Sequence, residues 1–427
     1  MTNIATKRDG RRVDQMLSIL EQVEGAVAKG CPADRELARI FRNNRRFGSR
    51  DRRFYSESVF SSLRWQGWAG MLRTTGPLAA LTAILLDAES ISPAIVALAE
   101  ISEIDPDILL PLGELDLESK AEALVQMGLV SDVPHYESLA PDWAWDQIEF
   151  ENEEQRGLWA DSLQHPLPVW LRFARGREVA AKQVLVEEGI DLEQHDSLAQ
   201  AWSVERNISR AIMGRKAAGG IEIQDLASQC VGLVCQPQRG QRWWDACAGG
   251  GGKTLHLADL MGNDGKVLAT DSRSRSLRNL HKRLRRSNIE IVASEKMEVE
   301  ATLPEVQPFD GVLLDAPCTG SGTWARNPDG RWRTDSVVVR KRVERQMNML
   351  DNVSSLVKEG GVLVYSVCSV FEAECDGVVE AFLDQHPEFA LSPFTDPLSG
   401  QTTEGTLLIK PWEHPTIGMY IARLERI

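Results

Sequence analysis

Apolar residues in the first part of the chain recur at helical spacing. The i, i+3, i+4, i+7 pattern of a buried helix face is formed by Val13, Met16, Leu17, Leu20 and Val23. Lys29 and Gly30 then supply a helix end, and Pro32 supplies the start of the next helix. The longest apolar run, at residues 77–86, is shorter than the ~20 residues that span a bilayer and is typical of a buried helix. Residues 1–150 are therefore predicted to form a helical domain.

The pattern changes after residue 150. Pro166 precedes a strand-like run that ends at residue 173, and residues 178–188 have helical character. These features predict a small α/β linker domain over residues 151–215.

From residue 216 onward, short apolar runs alternate with segments of helix length. The runs lie at residues 242–246, 266–270, 290–293, 311–314 and 362–366. Strands that alternate with helices in this way predict an α/β fold with a doubly wound, mostly parallel, Rossmann-like sheet. Ligands of such sheets bind at the carboxyl ends of the strands, so we expect the functional site there, in a domain of residues 216–427.

The cysteines and the N-terminus limit the compartment that we expect. Seven cysteines without paired spacing argue against disulfides and against a zinc cluster. The N-terminal residues lack the apolar segment of a secretory signal. We therefore expect a cytoplasmic, monomeric protein with reduced thiols, no bound metal and no membrane partner.

The charge pattern bears on the partner. The net charge of −14 at first argues against a nucleic acid. The arginines, however, crowd into residues 35–73, 273–286 and 326–345. In residues 42–54 they alternate with aromatic side chains, a mixture that suits an RNA backbone and stacked bases. The alternative is that these arginines lie on solvated helix faces and pair with nearby acids.

A glycine-rich loop follows the first strand of the predicted sheet, between Asp245 and Thr254. Its Gly-Gly-Lys-Thr ending resembles a nucleotide-binding P-loop, but that pattern requires a glycine where this chain has Cys247. In a second interpretation, the glycines let the backbone approach a cofactor closely. Asp271, at the end of the next strand, would then bind ribose hydroxyls, so the two motifs together favour an adenosyl cofactor.

Two cysteines follow two of the predicted strands. Cys318 lies three residues after Asp315, and Cys368 follows the run that ends at Val367. A thiolate adds to C6 of a pyrimidine and leaves again, and the addition makes C5 nucleophilic enough to accept a methyl group. The combination predicts a cytosine-5 methyltransferase. Taken singly, Asp315 could be a capping residue and Cys318 a small buried hydrophobe.

At these positions the chain resembles the RsmB/Sun family of S-adenosylmethionine-dependent RNA cytosine-5 methyltransferases, which includes bacterial ribosomal-RNA enzymes. The matching stretches are residues 224–229, 247–254, 315–318, 327–329 and 365–369. The N-terminal part also resembles the NusB-like RNA-binding domain of some members, centred on residues 47–52. The resemblance implies a class I methyltransferase fold, S-adenosylmethionine as cofactor, and ribosomal RNA or a ribosomal subunit precursor as partner.

The resemblance also implies roles for single residues. Cys368 would be the nucleophile that adds to C6, and Cys318 would assist breakdown of the covalent intermediate. Asp315 would lie beside the target base and the cofactor, and Asp271 would hold the ribose. The loop residues around the methionine end of the cofactor would be Cys247, Ala248, Gly249, Gly250, Gly251, Gly252 and Lys253. Lys253, the cation of this loop, is also suited to orient Asp315.

The chain departs from the family pattern in three places. Gly249 and Gly250 stand where the family has alanine and proline, which is expected to make the loop more flexible and to weaken cofactor binding modestly. Val367 stands where threonine is usual, so a hydroxyl is lost and the β-branched shape is kept. The third-strand carboxylate expected near the adenine has no clear match, and Glu295 is the nearest candidate.

Two other functions are compatible with parts of the pattern. A non-catalytic RNA-binding assembly factor could keep the fold, but the intact Asp315, Cys318 and Cys368 argue against it. A nucleotide hydrolase is disfavoured by Cys247. Binding of S-adenosylmethionine or of ATP to the pure protein would separate these two chemistries.

Overall fold

The computed structural model describes residues 6–70, 76–205, 208, 210–213, 219–301, 303–304 and 306–427. The chain forms two compact units. The helical unit comprises Met1–Pro166 and Trp324–Asp335, and the sheet unit comprises Leu167–Thr323 and Ser336–Ile427. The predicted boundary between residues 215 and 216 lies outside the described residues, and the division into three domains stays a prediction.

The helical unit confirms the helical pattern of the N-terminal residues. Its helices are α1 (Lys7–Val27), α2 (Ala33–Asn43), α3 (Ser49–Arg64), α4 (Gln66–Gly70), α5 (Pro77–Asp87), α6 (Pro93–Ile101), α7 (Leu117–Gln126), α8 (Asp142–Trp145) and α9 (Glu153–Ser162). Helix α1 begins at a capping box, in which Thr6 and Asp9 satisfy each other's backbone N–H groups. Its buried face differs at one position from the predicted one, because Ile19 is fully buried and Leu17 only partly.

A distant segment of the sequence completes the helical unit. Residues 324–335 contain the short helix α15 (Asp329–Arg333), and Trp324 packs against Trp159 with ring centroids 6.2 Å apart. The fully buried Arg331 donates hydrogen bonds to the carbonyl oxygens of Leu139 and Leu163, at 2.8 and 3.0 Å. The 327–329 motif therefore lies in the helical unit.

The sheet unit begins with a small antiparallel sheet. Its strands are β1 (Val169–Phe173), β2 (Glu193–Gln194), β3 (Ala201–Val204) and β4 (Ile221–Ile223), in the order β2-β3-β1-β4. Between them lie helices α10 (Glu178–Glu187) and α11 (Arg210–Met213). The strand predicted to end at residue 173 and the helix predicted from residue 178 are both confirmed.

The larger sheet is the doubly wound sheet that the sequence predicts. Its strands are β5 (Arg242–Asp245), β6 (Lys266–Asp271), β7 (Val292–Lys296), β8 (Phe309–Asp315), β9 (Val357–Val367), β10 (Phe389–Leu391), β11 (Thr406–Ile409) and β12 (Met419–Arg426). The order is β10-β12-β9-β8-β5-β6-β7, with β11 paired to β12. Strands β5 to β9 pair in parallel, and β12 is antiparallel to β9. The chain order reverses between β5 and β8, so the crevice at their carboxyl ends is the expected ligand site.

Helices cover both faces of this sheet. They are α12 (Leu226–Cys235), α13 (Gly252–Leu260), α14 (Ser274–Ser287), α16 (Ser336–Ser354) and α17 (Asp376–Gln385). Trp243 and Trp244 are adjacent on β5 and belong to separate hydrophobic clusters, so side chains alternate between the two faces. Gly311 on β8 is required there, because a Cβ atom would lie 2.3 Å from the Trp243 ring.

Among the described residues, no helix is both long enough and apolar enough to cross a bilayer.

Candidate active site

A cavity of about 670 Å³ opens at the carboxyl ends of the parallel strands in the sheet unit. It lies at the switch point between β5 and β8, where the sequence places the site. Its lining includes Cys247, Lys253, Asp271, Asp315, Cys318 and Cys368. Its volume is within the range of small-molecule sites, roughly 300–1,000 Å³. Residues from four strand ends that are far apart in sequence therefore meet in one place.

The glycine loop enters the cavity as backbone. Gly249 has φ +55°, a left-handed conformation that glycine adopts without strain, and open space surrounds its missing Cβ. Gly251 has φ +87° and packs tightly, because a Cβ there would lie 2.3 Å from Leu280 of α14. Gly251 is not among the residues that line the cavity, in contrast to Gly249, Gly250 and Gly252. Gly251 thus anchors the loop against α14, and Gly249 leaves open space on the side of the loop that lines the cavity.

Asp271 ends β6 and fixes the position of this loop. Its carboxylate accepts the backbone N–H of Gly249 at 3.0 Å and the backbone N–H of Arg273 at 2.8 Å. The Arg273 guanidinium adds two further hydrogen bonds, at 3.1 and 3.2 Å. Burial alone would raise the pKa of Asp271, but the hydrogen bonds and charge of Arg273 outweigh it and lower that pKa. Asp271 is therefore an ionised acceptor at the cavity wall.

Lys253 and Asp315 form an ion pair across the cavity floor. Lys253 Nζ lies 2.8 Å from Asp315 Oδ2, and Ser366 Oγ donates to Asp315 Oδ1 at 3.0 Å. Burial would lower the pKa of Lys253, but the charge and hydrogen bond of Asp315 raise it overall. The structure thus brings Lys253 to Asp315 as predicted, and Lys253 stays charged.

The thiols of Cys318 and Cys368 meet at 3.3 Å between sulfur atoms. Cys368 directly follows β9, and Cys318 lies in the loop after β8, which pairs with β9 in parallel. A hydrogen bond with Cys368 and burial raise the pKa of Cys318 well above its ordinary value, and the charges of Cys368 and Glu374 add to this shift. Cys318 is therefore the thiol that keeps its proton, while the Lys253 ammonium interacts electrostatically with Cys368.

A third thiol at the cavity, that of Cys247, is not suited to act as a nucleophile. Burial raises the pKa of Cys247, and the carboxylates of Asp245, Asp315 and Asp271 raise it further. A thiol that stays protonated is a poor nucleophile. Cys247 is therefore suited to packing against a ligand rather than to attack.

The acid at the end of β5 is fully buried. Thr254 Oγ1 donates to Asp245 Oδ2 at 2.6 Å, and Oδ1 has no hydrogen-bond partner among the described residues. Burial raises the pKa of Asp245 from 3.8 to about 7, with a smaller opposite effect from the Thr254 hydrogen bond. Asp245 therefore holds its proton more tightly in the folded protein than in the unfolded chain.

This shift predicts a pH-dependent stability. Because the folded-state pKa of Asp245 is raised, its contribution is complete below pH 3.8 and is lost as the pH rises through about 7. Between these values it lowers the free energy of unfolding by ~1.4 kcal/mol per pH unit. Urea denaturation of Asp245→Asn from pH 5 to 8 should remove this slope relative to the wild type. Equal pH dependence in both proteins would contradict the shift.

The third strand does not bring Glu295 to the cavity. Glu295 lies on β7 and is exposed, and the cavity is lined instead by Met297 to Glu300, which follow that strand. Glu300 forms an ion pair with Arg345 of α16, and Arg345 also lines the cavity. Sequence reasoning missed Arg345 because a single arginine on a long basic helix carries no signal of where it points.

The arginines of residues 42–54 in the helical unit are of two kinds: some contact other residues of the unit, and others, here called free arginines, are exposed and unpaired among the described residues. Arg52 donates to the carbonyl oxygen of Phe47 at 3.0 Å and lies over the Phe41 ring. Arg45, Arg46 and Arg50 are exposed. None of these three has a side-chain ion pair among the residues that the structure describes. The free arginines are the ones available to a polyanion.

Comparisons with known proteins agree with this fold. The family described as 16S rRNA methyltransferase RsmB/F matches residues 232–425. A probable ribosomal RNA small subunit methyltransferase B from Synechocystis sp. is 38% identical over 49% of this chain and 48% of its own length. The protein of the same description from Bacillus subtilis is 29% identical over 70% of this chain and 68% of its own length. The match thus spans about half of the Synechocystis relative.

Solved structures give the same fold. The alignment with the crystal structure of PH0851 covers 100% of this chain and 100% of the PH0851 chain, with a TM-score of 0.73 and 25% identity. A methyltransferase homologue from Pyrococcus horikoshii has a TM-score of 0.57 and 25% identity, covering 76% of this chain and 100% of its own. Strand order and cavity position, together with these matches, define a Rossmann-like methyltransferase fold. Over residues 232–425 the chain is similar to the RsmB/F family of methyltransferases.

Proposed function

We propose that the protein transfers a methyl group from S-adenosylmethionine to C5 of a cytosine in RNA, and that this RNA is ribosomal. The observation that carries the proposal is the pair of thiols 3.3 Å apart, at a cavity that also holds the Lys253–Asp315 ion pair. The names of the relatives support ribosomal RNA as the substrate class.

The residues at the cavity fit S-adenosylmethionine. Asp271 offers an ionised acceptor for ribose hydroxyls, and the open side of Gly249 leaves room for close backbone contact. Residues 247–250, 252 and 253 line the same cavity and would lie along the methionine end. When bound there, the sulfonium cofactor supplies an electrophilic methyl group. The chain's own residues supply binding, nucleophile and proton control.

The mechanism follows from the positions of the two thiols. Cys368, as thiolate, adds to C6 of the flipped cytosine, and the electrons of the C5–C6 double bond then take the methyl group at C5. Loss of the C5 proton to a base re-forms the double bond and expels Cys368. The Cys318 thiol is placed to donate a hydrogen bond to the departing sulfur. Asp315, held by Lys253 and Ser366, would lie beside the cytosine ring.

If Asp271 binds the ribose of the cofactor, replacing Asp271 should lower the affinity for S-adenosylmethionine. Asp271→Ala removes both the ribose acceptor and the anchor of the Gly249 N–H, so the cofactor should bind more weakly by about 1–3 kcal/mol. Isothermal calorimetry with S-adenosylmethionine measures this loss. Asp264→Ala, an exposed acid just before the same strand, is the control and should leave affinity unchanged. Equal affinity in the Asp271 variant would contradict the assignment.

RNA binding predicts a role for the free arginines of the helical unit. Replacing Arg45, Arg46 and Arg50 with alanine should lower RNA affinity and reduce the salt slope by ~0.7 for each single-strand phosphate that is no longer neutralised. The control is Arg53→Ala, since Arg53 is paired with Glu57 on the same surface. Filter binding over a series of salt concentrations measures both effects. An unaltered slope in the triple variant would show that these arginines are merely solvated.

The second candidate, a non-catalytic assembly factor, predicts RNA binding without methyl transfer. Tritium transfer from labelled S-adenosylmethionine to RNA from cells that lack the gene decides between the two. Bisulfite sequencing of the same RNA then identifies the modified cytosine.

A further inference from the structure

One buried carboxylate connects the loops of both thiols. Glu374 lies in the turn after β9 and is completely buried. Its Oε1 accepts the backbone N–H of Thr319 at 2.9 Å, and its Oε2 accepts the Thr319 hydroxyl at 2.5 Å. Oε2 also accepts the Ser369 hydroxyl at 2.6 Å. Thr319 directly follows Cys318 and Ser369 directly follows Cys368, so Glu374 bonds to the neighbour of each thiol.

Further hydrogen bonds hold Glu374 in this position. Gln346 of α16 donates to Glu374 Oε1 at 3.0 Å and to the carbonyl oxygen of Pro317 at 3.2 Å. The Tyr365 hydroxyl donates to the backbone carbonyl of Glu374 at 2.8 Å. A buried carboxylate with four donors, two at each oxygen, is fully satisfied. The network is therefore rigid, and it is built around the two loops.

The charge of Glu374 also distinguishes the two thiols. Its electrostatic effect acts on Cys318 and opposes ionisation there, whereas the Lys253 cation acts on Cys368. Two sulfur atoms 3.3 Å apart cannot both ionise at low cost, because like charges at that distance repel strongly. The carboxylate of Glu374 therefore adds to the hydrogen bond with Cys368 and to burial in keeping Cys318 protonated.

We propose that Glu374 is a positioning residue that fixes the relative orientation of the two thiols and places a negative charge near Cys318, so that Cys368 is the nucleophile. The proposal rests on the proposed function for its catalytic consequence. Its effect on the thiols themselves is independent of any reaction with RNA. Glu374 acts through Thr319, Ser369 and Cys318, and it does not line the cavity.

The proposal is tested by the rate at which iodoacetamide alkylates each cysteine in the Glu374→Gln variant and in the wild type. Iodoacetamide labelling of each cysteine, followed by peptide mass spectrometry, should show Cys318 reacting about tenfold faster at fixed pH in the variant, since loss of a nearby charge shifts a pKa by ~1 unit or more. Methyl transfer should fall roughly 10- to 100-fold in kcat. The KM for S-adenosylmethionine should not change. Glu372→Gln, an exposed acid of the same turn, is the control.

A second variant keeps the outcomes distinct. Thr319→Val removes one hydroxyl donor and keeps the carboxylate charge, so it should slow methyl transfer without accelerating Cys318 alkylation, and it applies even if Glu374→Gln does not fold. An unchanged Cys318 profile in a folded Glu374→Gln protein overturns the proposal. Absence of methyl transfer in the wild type contradicts the proposed function instead, because the alkylation result does not depend on activity.

Discussion

Cys368→Ala is expected to abolish methyl transfer, because neither of the other two thiols that line the cavity, Cys318 and Cys247, is suited to attack C6. Cys318 keeps its proton through its hydrogen bond with Cys368, through burial and through nearby negative charge, and burial keeps Cys247 neutral. Loss of the nucleophile of a covalent mechanism removes the pathway itself, so turnover should fall by about 10⁴-fold or more. Transfer of tritium from labelled S-adenosylmethionine to RNA measures the effect.

Cys318→Ala should instead trap the covalent complex between the protein and RNA. Cys368 can still add to the base, but the thiol that stabilises its departure is absent, so RNA should remain covalently attached to the protein. Denaturing gels of each variant with RNA and cofactor show this as a band of reduced mobility. Cys375→Ala, a buried cysteine outside the thiol pair, serves as the control and should form no such band. A trapped band in Cys368→Ala, and none in Cys318→Ala, would reverse the two roles.

Arg331→Ala is expected to destabilise the helical unit strongly. Arg331 is fully buried, and it donates to the carbonyl oxygens of Leu139, Leu163 and Arg64. Truncation leaves buried acceptors unpaired and a cavity in place of a large side chain, for which the loss in free energy of unfolding is roughly 3–5 kcal/mol. Urea denaturation followed by tryptophan fluorescence measures the loss.

The matched control for this experiment is Arg53→Ala. Arg53 lies on α3 of the same unit, is 82% exposed and pairs with Glu57 on the surface. Surface pairs of this kind contribute about 0–1 kcal/mol, so its midpoint should barely move. Similar midpoints for the two variants would show that the hydrogen bonds of Arg331 to these carbonyl groups do not support the helical unit.

The sequence carries most of the information on the sheet and on the thiol pair. The runs before Asp245, Asp271, Asp315 and Cys368 are short, apolar and separated by helix-length segments, so their parallel pairing follows from general rules. Once parallel pairing is predicted, the carboxyl ends must share one edge. The cavity, the Lys253–Asp315 pair and the proximity of the thiols are consequences of that geometry.

Other parts of the structure depend on tertiary packing that no local pattern reveals. Glu374 resembles any acid in an acidic turn until β8 and β9 bring Thr319 and Ser369 to it. Glu295 lies in a strand-like run and is therefore the nearest candidate by sequence, but the cavity wall is formed by residues after β7. Arg331 follows a family motif, yet its burial depends on carbonyl groups that lie far away in sequence.

The sequence position of residues 324–335 has a consequence for synthesis on the ribosome. Ala33, Leu139 and Leu163 leave the ribosome long before Asp329 and Arg331 are translated, and these two side chains are their partners in the finished unit. At ~5–20 residues per second, the N-terminal helices wait roughly 10–60 s for this segment. During that interval the surface around Trp159 lacks Trp324, so the nascent chain should be a substrate for holdase chaperones until residues 324–335 have emerged.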